Sequence, residues 1–318
     1  MLTNLQLLDI ANQKLLIGDL TDHELLEFCR VANERYRNGS PIISDENYDF
    51  IFIPELVKRL PENPFLQQVE NESTSFSEEK IKLPEKMLST DKAYSWEEIN
   101  KWLERITKFS EEINYPLNSI QIKGTAKLDG FAGFDDGVKL YTRGDGKKGS
   151  DISRVFERGL GIFNDSERGQ GPGEIVVKRS YFEKHLSNHF EYPRNFQASL
   201  IKEKELDKFA IDAIRNKAAL FVPFTQLPQW LGSINEFSDQ FLDIVNLLEA
   251  GVDFDIDGVV FEIENPELKK HMGSNRKFHR WQIAYKENKE KAQVRVISVT
   301  AQVGRTGKIT PVAELEPT

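Results

Sequence analysis

Read as a pattern of apolar and polar positions, the chain divides into a helical start and a strand-rich remainder. Apolar residues recur at helical spacing from Leu5 to Leu16. A second helix is predicted to open at Thr21, where Glu24 three residues on completes a capping box, and to stop near Gly39. A third is predicted from Ser44, with Asp45 and Glu46 in a first turn where the helix dipole favours carboxylates. On it Asp45, Tyr48 and Asp49 stand at i, i+3 and i+4 and share a face. Residues 68–82 are polar and aperiodic and read as a linker.

Beyond the linker, Ser95 and Glu98 form another capping box, opening a helix to about Phe109. Strand signals follow at 120–127, 131–134, 138–143, 174–178, 219–225, 255–263, 281–286 and 293–303, with helical stretches at 180–188, 203–217 and 235–249. Asp135-Asp136-Gly137 marks a hairpin turn. No internal repeat and no low-complexity tract is present. Strands and helices do not alternate regularly, so the pattern predicts an α+β fold with antiparallel sheets rather than a Rossmann or barrel fold.

Composition narrows the class. A length of 318 residues suggests two domains, and 39% hydrophobic residues with 21 phenylalanines supply a core. No run approaches the ~18 apolar residues of a membrane span, and the start lacks a basic-then-apolar signal peptide, so a soluble, cytoplasmic protein is expected. The single cysteine, Cys29, excludes a disulfide framework or thiolate zinc cluster within these residues, and it falls in an amphipathic pattern that predicts a buried, inert thiol. A net charge of −9 argues against a free-standing nucleic-acid binder, although Lys and Arg cluster at 139–148, 178–184 and 269–280.

Candidate chemistry lies in five stretches. Lys127-Leu-Asp129-Gly130 ends a predicted strand, and alone it reads more readily as a surface lysine beside a turn than as a nucleophile. Thr142-Arg143-Gly144-Asp145-Gly146 has glycines that let backbone and arginine approach a phosphate. Glu174 opens a strand and suits a ribose hydroxyl. Asp257 stands in Asp255-Ile-Asp257-Gly258-Val-Val, and Lys286 ends Trp281-Gln-Ile-Ala-Tyr285-Lys286, suited to charge on a phosphate.

In this order the stretches resemble motifs I, Ia, III, IV and V of the covalent nucleotidyltransferases, and most closely those of the NAD-dependent DNA ligases of bacteria and their viruses. Met87-Leu-Ser89-Thr90-Asp91 resembles the family's adenine-pocket segment, and Tyr192-Pro193-Arg194-Asn195 its Asn-Pro-Arg-Asn segment. Gln302 to Pro317 is similar to the signature where an OB-fold begins, and Pro41 to Asp49 to the helix that grips NMN in the NAD-using branch. The resemblance runs from about residue 30 to the end.

It implies three parts: a helical NMN-binding domain at 1–70, a nucleotidyltransferase domain at 71–288 and the first strands of an OB-fold at 289–318. It further implies that Lys127 attacks the α-phosphate of NAD, releases NMN and carries AMP to the 5′-phosphate of a nick in double-stranded DNA, with Mg²⁺ as cofactor. Asp129, Asp257 and Lys286 would join Lys127 in catalysis, and a nearby cation such as Lys286 would favour its unprotonated form. Tyr36, Asp45, Tyr48 and Asp49 would hold NMN; Ser89, Thr90, Thr125, Arg143, Glu174, Arg194 and Glu262 would line the rest of the cofactor site. No protein cage for a metal is implied. The chain is expected to act as a monomer, away from membranes, and to need further domains or a partner chain to engage DNA.

Three positions depart from the family pattern. Thr125 replaces a glutamate that reads adenine. Glu262 replaces a lysine, a charge reversal expected to oppose the transition state unless a neighbouring cation compensates; Lys123 shares a strand face with Thr125 and Lys127, and Lys178 one with Glu174. Strict alternation sets Asp257 and Glu262 on opposite faces, since they are five residues apart. Arg35-Tyr36 stands where the family has Tyr-His. The chain also ends at Thr318, where the family continues through DNA-clamping domains. These departures leave two alternatives open, an ATP-using DNA or RNA ligase and a degenerate nucleotide- or partner-binding module.

Overall fold

The computed structural model describes residues 2–12, 14–67, 80–287, 296–303 and 309–315. It forms two compact units, Met1–Glu287 and Asn288–Thr318.

The first unit begins with helices. Thr3 and Gln6 form a reciprocal cap on Asn4–Ala11, and Thr21 and Glu24 do the same for Asp22–Arg37. The first helix is shorter than its apolar pattern. It ends at Ala11, a short 3₁₀ turn follows at Ile17–Asp19, and Leu15 and Leu16 are exposed. The third helical stretch starts at Ser44, which caps Asp45–Asn47, widens into a π turn at Tyr48–Phe52 and continues as Ile53–Arg59. Leu25, Phe28, Phe52 and Leu56 are the core of this part. Cys29 lies within that core, and burial pushes its thiol up to about 12. The predicted boundary at residue 70 and residues 68–79 of the predicted linker lie outside the described residues. The last part of that linker is not aperiodic, because Ile81–Lys82 is a strand.

The strands are β1 (Ile81–Lys82), β2 (Ser89–Ala93), β3 (Gln121–Leu128), β4 (Phe131–Asp135), β5 (Leu140–Thr142), β6 (Lys148–Gly149), β7 (Gly161–Ile162), β8 (Gly171–Val177), β9 (Ala219–Pro223), β10 (Gln229–Ser233), β11 (Ile256–Ile263) and β12 (Phe278–Tyr285). One five-stranded sheet has the order β10-β3-β11-β12-β2 and the other β5-β4-β8-β9-β7, while β1 pairs with β6. The architecture is the expected α+β mixture of antiparallel ladders and helices. Two edge pairs are parallel, β2 with β12 and β7 with β9, because those strands come from distant parts of the chain.

Each sheet is backed by helices. Trp96–Glu112, Phe241–Ala250 and Pro266–Met272 cover the first, with Trp102, Phe237 and Phe261 at its centre. Trp96–Glu112 runs three residues past the predicted stop. Pro193–Lys202 and Lys208–Arg215 cover the second sheet around Phe131, Phe196 and Phe221. The helix predicted at 203–217 is confined to Lys208–Arg215, and Pro193–Lys202, with proline in its first turn, is a further helix that the sequence pattern did not predict. Ala126, Leu128, Val176 and Val222 form the apolar seam where the sheets meet.

The second unit is an antiparallel pair, β13 (Val296–Val303) with β14 (Ile309–Leu315). Residues 304–308 and 316–318 of the OB-like signature lie outside the described residues.

Candidate active site

A cleft of about 1790 Å³ is lined by the N-terminal helices and both five-stranded sheets. That exceeds the roughly 300–1,000 Å³ usual for a drug-sized ligand and leaves room for a dinucleotide. Although the chain is acidic overall, Lys and Arg slightly outnumber Asp and Glu in the lining. Every site residue expected from the sequence lines this one cleft. Of the basic clusters, 139–148 and 269–280 contribute to it and 178–184 does not; Lys178 therefore is no cleft partner for Glu174.

Alternation along β3 buries Ile122, Gly124, Ala126 and Leu128 and turns Lys123, Thr125 and Lys127 toward the cleft. The neighbouring β11 carries one extra residue. Ile256 pairs with Leu128 but Val259 pairs with Ala126, so three steps on β11 match two on β3. This bulge centres on Gly258, whose φ of +139° suits glycine and whose Cβ, if present, would collide with the Tyr285 carbonyl oxygen. It also resets the alternation. Asp257 and Glu262, expected on opposite faces, both line the cleft, Asp257 beside Lys127 and Glu262 paired with Lys123.

Charged groups at the Lys127 end form a ladder of alternating sign. Lys127 Nζ donates to Asp257 Oδ1 and Oδ2 at 2.7 and 2.9 Å. Lys286 Nζ lies 2.8 Å from Asp257 Oδ2 and donates to Asp49 Oδ2 at 2.5 Å. Lys92 Nζ donates to Asp49 Oδ1 at 2.6 Å. The ladder corrects one expectation: Lys286 does not act on Lys127 as an unshielded cation, because the Asp257 carboxylate bridges the two. Burial works against the charge on Asp257, but Lys127 and Lys286 together hold its carboxyl well below the usual range. Burial likewise disfavours charge on Lys286, yet Asp257 and Asp49 keep its ammonium well above the ordinary lysine value. Lys92 is a member that sequence reasoning missed. Its strand, Ser-Thr-Asp-Lys-Ala, is too polar and too short to give a strand signal.

A second network joins the N-terminal helices to the turn after β3. The Tyr36 hydroxyl donates to Asp129 Oδ1 at 2.6 Å. Arg194 donates from Nη1 to the same oxygen at 3.2 Å, to the Gly130 carbonyl, and from Nε to the Tyr36 carbonyl at 2.9 Å. Its guanidinium carbon lies 4.0 Å from the Tyr36 ring centroid and 4.5 Å from that of Phe131. One face of Tyr36 is therefore covered, and Arg194 and Asp129 form an ion pair at 3.2 Å. Asp45, in the helical turn after Ser44, and Tyr48 and Asp49, in the π turn, all line the cleft, as their spacing predicts.

Glu174 faces the same end from β8. Burial pushes its carboxyl up to about 8, against the opposing pull of Lys127 and Arg194. Burial, and then the charge of Asp129, raises Asp45 to about 7. Arg143 follows β5, in a turn where Gly144 has φ +56° and where a Cβ would strike the Lys148 carbonyl oxygen. On β2, Ser89 Oγ is buried without a hydrogen bond to any of the described residues, and Thr90 lines the cleft beside it. Glu262, the reversed charge, sits opposite Lys123 rather than Lys127 and is met by Lys123 at 2.6 Å and Lys269 at 3.3 Å. The sequence had pointed to Lys123 as a compensating cation; Lys269, seven residues further on, had no such signal.

Among the described residues no group of three or more His, Cys, Asp or Glu side chains could hold a metal ion. No helix among the described residues is long and apolar enough to cross a membrane.

Residues 74–208 match the model of the NAD-dependent DNA ligase adenylation domain. The chain is 63% identical to a DNA ligase of Ruthia magnifica over 302 residues, covering 95% of this chain and 49% of that protein. It is 50% identical to a DNA ligase of Shewanella baltica over 315 residues, covering 99% and 48%, and 31% identical to one of Anaplasma marginale, covering 87% and 46%. The chain thus spans about half the length of the curated relatives it matches. Similarity of this extent, over a cleft that gathers every candidate site residue, means that the chain belongs to the NAD-dependent DNA ligase adenylation-domain family.

Proposed function

We propose that this chain performs the first step of NAD-dependent DNA ligation. Lys127 Nζ attacks the α-phosphorus of NAD; the P–N bond forms, the bond from phosphorus to the NMN phosphate oxygen breaks, and Nζ loses its proton. Lysyl-AMP then passes AMP to the 5′-phosphate of a nick, and the 3′-hydroxyl displaces it. Dividing the reaction this way replaces one hard displacement by easier ones. The observation that carries this reading is the position of Lys127 Nζ, 2.7 Å from an Asp257 carboxylate that also grips Lys286, in a cleft with room for a dinucleotide.

The remaining roles follow from chemistry. Asp257 aims the amine. Lys286 and Arg143 offset charge on the reacting phosphate, where fixed cations act most strongly. Glu174, neutral at pH 7, both donates to and accepts from ribose hydroxyls. Asp45, Tyr48, Asp49 and Tyr36 face NMN, and Ser89, Thr90, Thr125 and Glu262 face the base. Arg194 and Asp129 hold the turn after Lys127 against the N-terminal helices. Mg²⁺, carried in on the phosphates, offsets their charge, and no step here runs through it.

The reading implies a cytoplasmic monomer acting on nicked double-stranded DNA. An acidic chain needs further domains or a partner chain to clamp that DNA. Incubation with NAD and Mg²⁺ followed by intact-mass measurement is expected to show one added AMP, absent in Lys127→Ala. An adduct from ATP but not NAD would replace this reading with an ATP-using ligase, and binding without an adduct would replace it with a nucleotide-binding module.

A further inference from the structure

The end of the cleft away from Lys127 holds a polar cluster to which phosphoryl transfer assigns nothing. Strand register sets Lys123 of β3 opposite Glu262 of β11, and Glu262 opposite Gln282 of β12, and all three line the cleft. Lys123 Nζ lies 2.6 Å from Glu262 Oε1 and 2.9 Å from Glu264 Oε1. Lys269 Nζ reaches Glu262 Oε1 at 3.3 Å, and Gln282 Nε2 donates to Oε2 at 3.0 Å. The carboxylate is therefore fixed from two sides. Burial opposes its charge, but Lys269 and Lys123 hold it below the ordinary glutamate value, so it is ionised at neutral pH.

Capacity remains in this cluster. An ammonium has three N–H donors and Lys123 meets two carboxylates; a carboxylate accepts about four bonds and Glu262 meets three donors. Among the described residues this leaves one donor on Lys123 and one acceptor on Glu262, whose Oε2 meets only Gln282. Lys123 lies four residues from Lys127 along β3, about 13 Å at the usual strand rise. That length accommodates a nucleoside monophosphate bonded to Lys127 through phosphorus, with its base at the Lys123 row. Thr125 stands between them with a neutral hydroxyl.

We infer that Lys123 and Glu262 are the base-reading pair of this cleft. Glu262 accepts a hydrogen bond from the 6-amino group of adenine, and Lys123 donates to ring N1. A 6-aminopurine edge sets a donor beside an acceptor, the complement of what the pair leaves open. Lys269 and Gln282 act as positioning residues that aim the carboxylate. The charge reversal at Glu262 is then an exchange of partners across two strands rather than a lesion. The inference rests on the adenylation proposed above.

The test compares adenylation by the whole 318-residue chain with NAD and with nicotinamide purine dinucleotide, which lacks only the 6-amino group. Lysyl adduct is read by intact mass at subsaturating nucleotide. The parent chain is expected to favour NAD by roughly 10- to 100-fold, the worth of one hydrogen bond to a charged acceptor. Glu262→Ala should shrink that preference to a few-fold, and Lys123→Ala/Glu262→Ala, which strands neither charge, should erase it. These losses should appear in KM more than in kcat. No preference in the parent, or an unchanged preference in a variant that still forms adduct, overturns the base-reading pair and leaves the nucleophile in place. No adduct from NAD in the parent removes the adenylation reading itself.

Discussion

At the scale of single residues, Asp257 and Glu174 illustrate opposite uses of burial. Asp257 keeps only 11% of its side chain exposed but is bound by two ammonium groups, so its charge persists. A carboxyl held below its unfolded value contributes stability above the ordinary carboxylate range and loses it as pH falls. Asp257→Asn leaves Lys127 and the buried Lys286 with a neutral partner, and a loss of about 3 kcal/mol in chemical denaturation at pH 7 is expected. The deficit should narrow toward acid pH, and an equal deficit at all pH values would contradict the charge account. Glu174 has the reverse sign. With a folded carboxyl near 8, its stability contribution is complete below the ordinary glutamate value and is lost as pH rises through 8. Glu174→Gln, neutral throughout, should melt several degrees above the parent at pH 8 and level with it near pH 4, the gain corresponding to about 4 kcal/mol. Thermal melts at the two pH values decide it.

At the scale of elements, the bulge in β11 does most to shape the site. Without its extra residue Asp257 and Glu262 would face opposite sides, and either the Lys127 partner or the Lys123 partner would be lost. Gly258→Ala forces a side chain into φ +139° and against the Tyr285 carbonyl oxygen. A cost on the order of 3 kcal/mol is expected, together with loss of lysyl adduct. Parent-like stability in a denaturant titration would show that the strand tolerates the change. Helix caps were legible in sequence because Thr21-Glu24 and Ser44 act on backbone three residues away. The bulge was not, since no local rule distinguishes Asp257-Gly258 in a regular strand from the same pair in a bulge. β2 was missed for a related reason: its stability comes from a parallel pairing with β12, some 190 residues on, and not from its own polar residues.

At the scale of the whole molecule, two networks couple the N-terminal helices to the sheets. Asp49 binds Lys286 across 237 residues of sequence, and Tyr36 meets Asp129 and Arg194. The apolar core of the helices is separate from those of the sheets, so these polar contacts carry much of the coupling. Arg194→Met and Asp49→Asn should each raise amide hydrogen exchange in the helix Asp22–Arg37 several-fold while leaving β8 and β9 protected. Unchanged exchange in that helix would assign the coupling to apolar contacts instead.

The sequence by itself determined the helix caps, the strand around Lys127, the α+β class and the membership of the cleft, because caps and alternation depend on residues two to four positions apart and the ordered motifs carry the family resemblance. Only the tertiary structure decided that Asp257 lies between Lys127 and Lys286, that Lys92 completes the ladder, and that Glu262 turns to Lys123 and Lys269. Most of those partners are set by strand register and by pairings far apart in sequence, 130 residues for Lys127 with Asp257 and 237 for Asp49 with Lys286, and one extra residue in β11 reverses the face on which a side chain stands. Lys127 owes its neighbours to that long-range geometry.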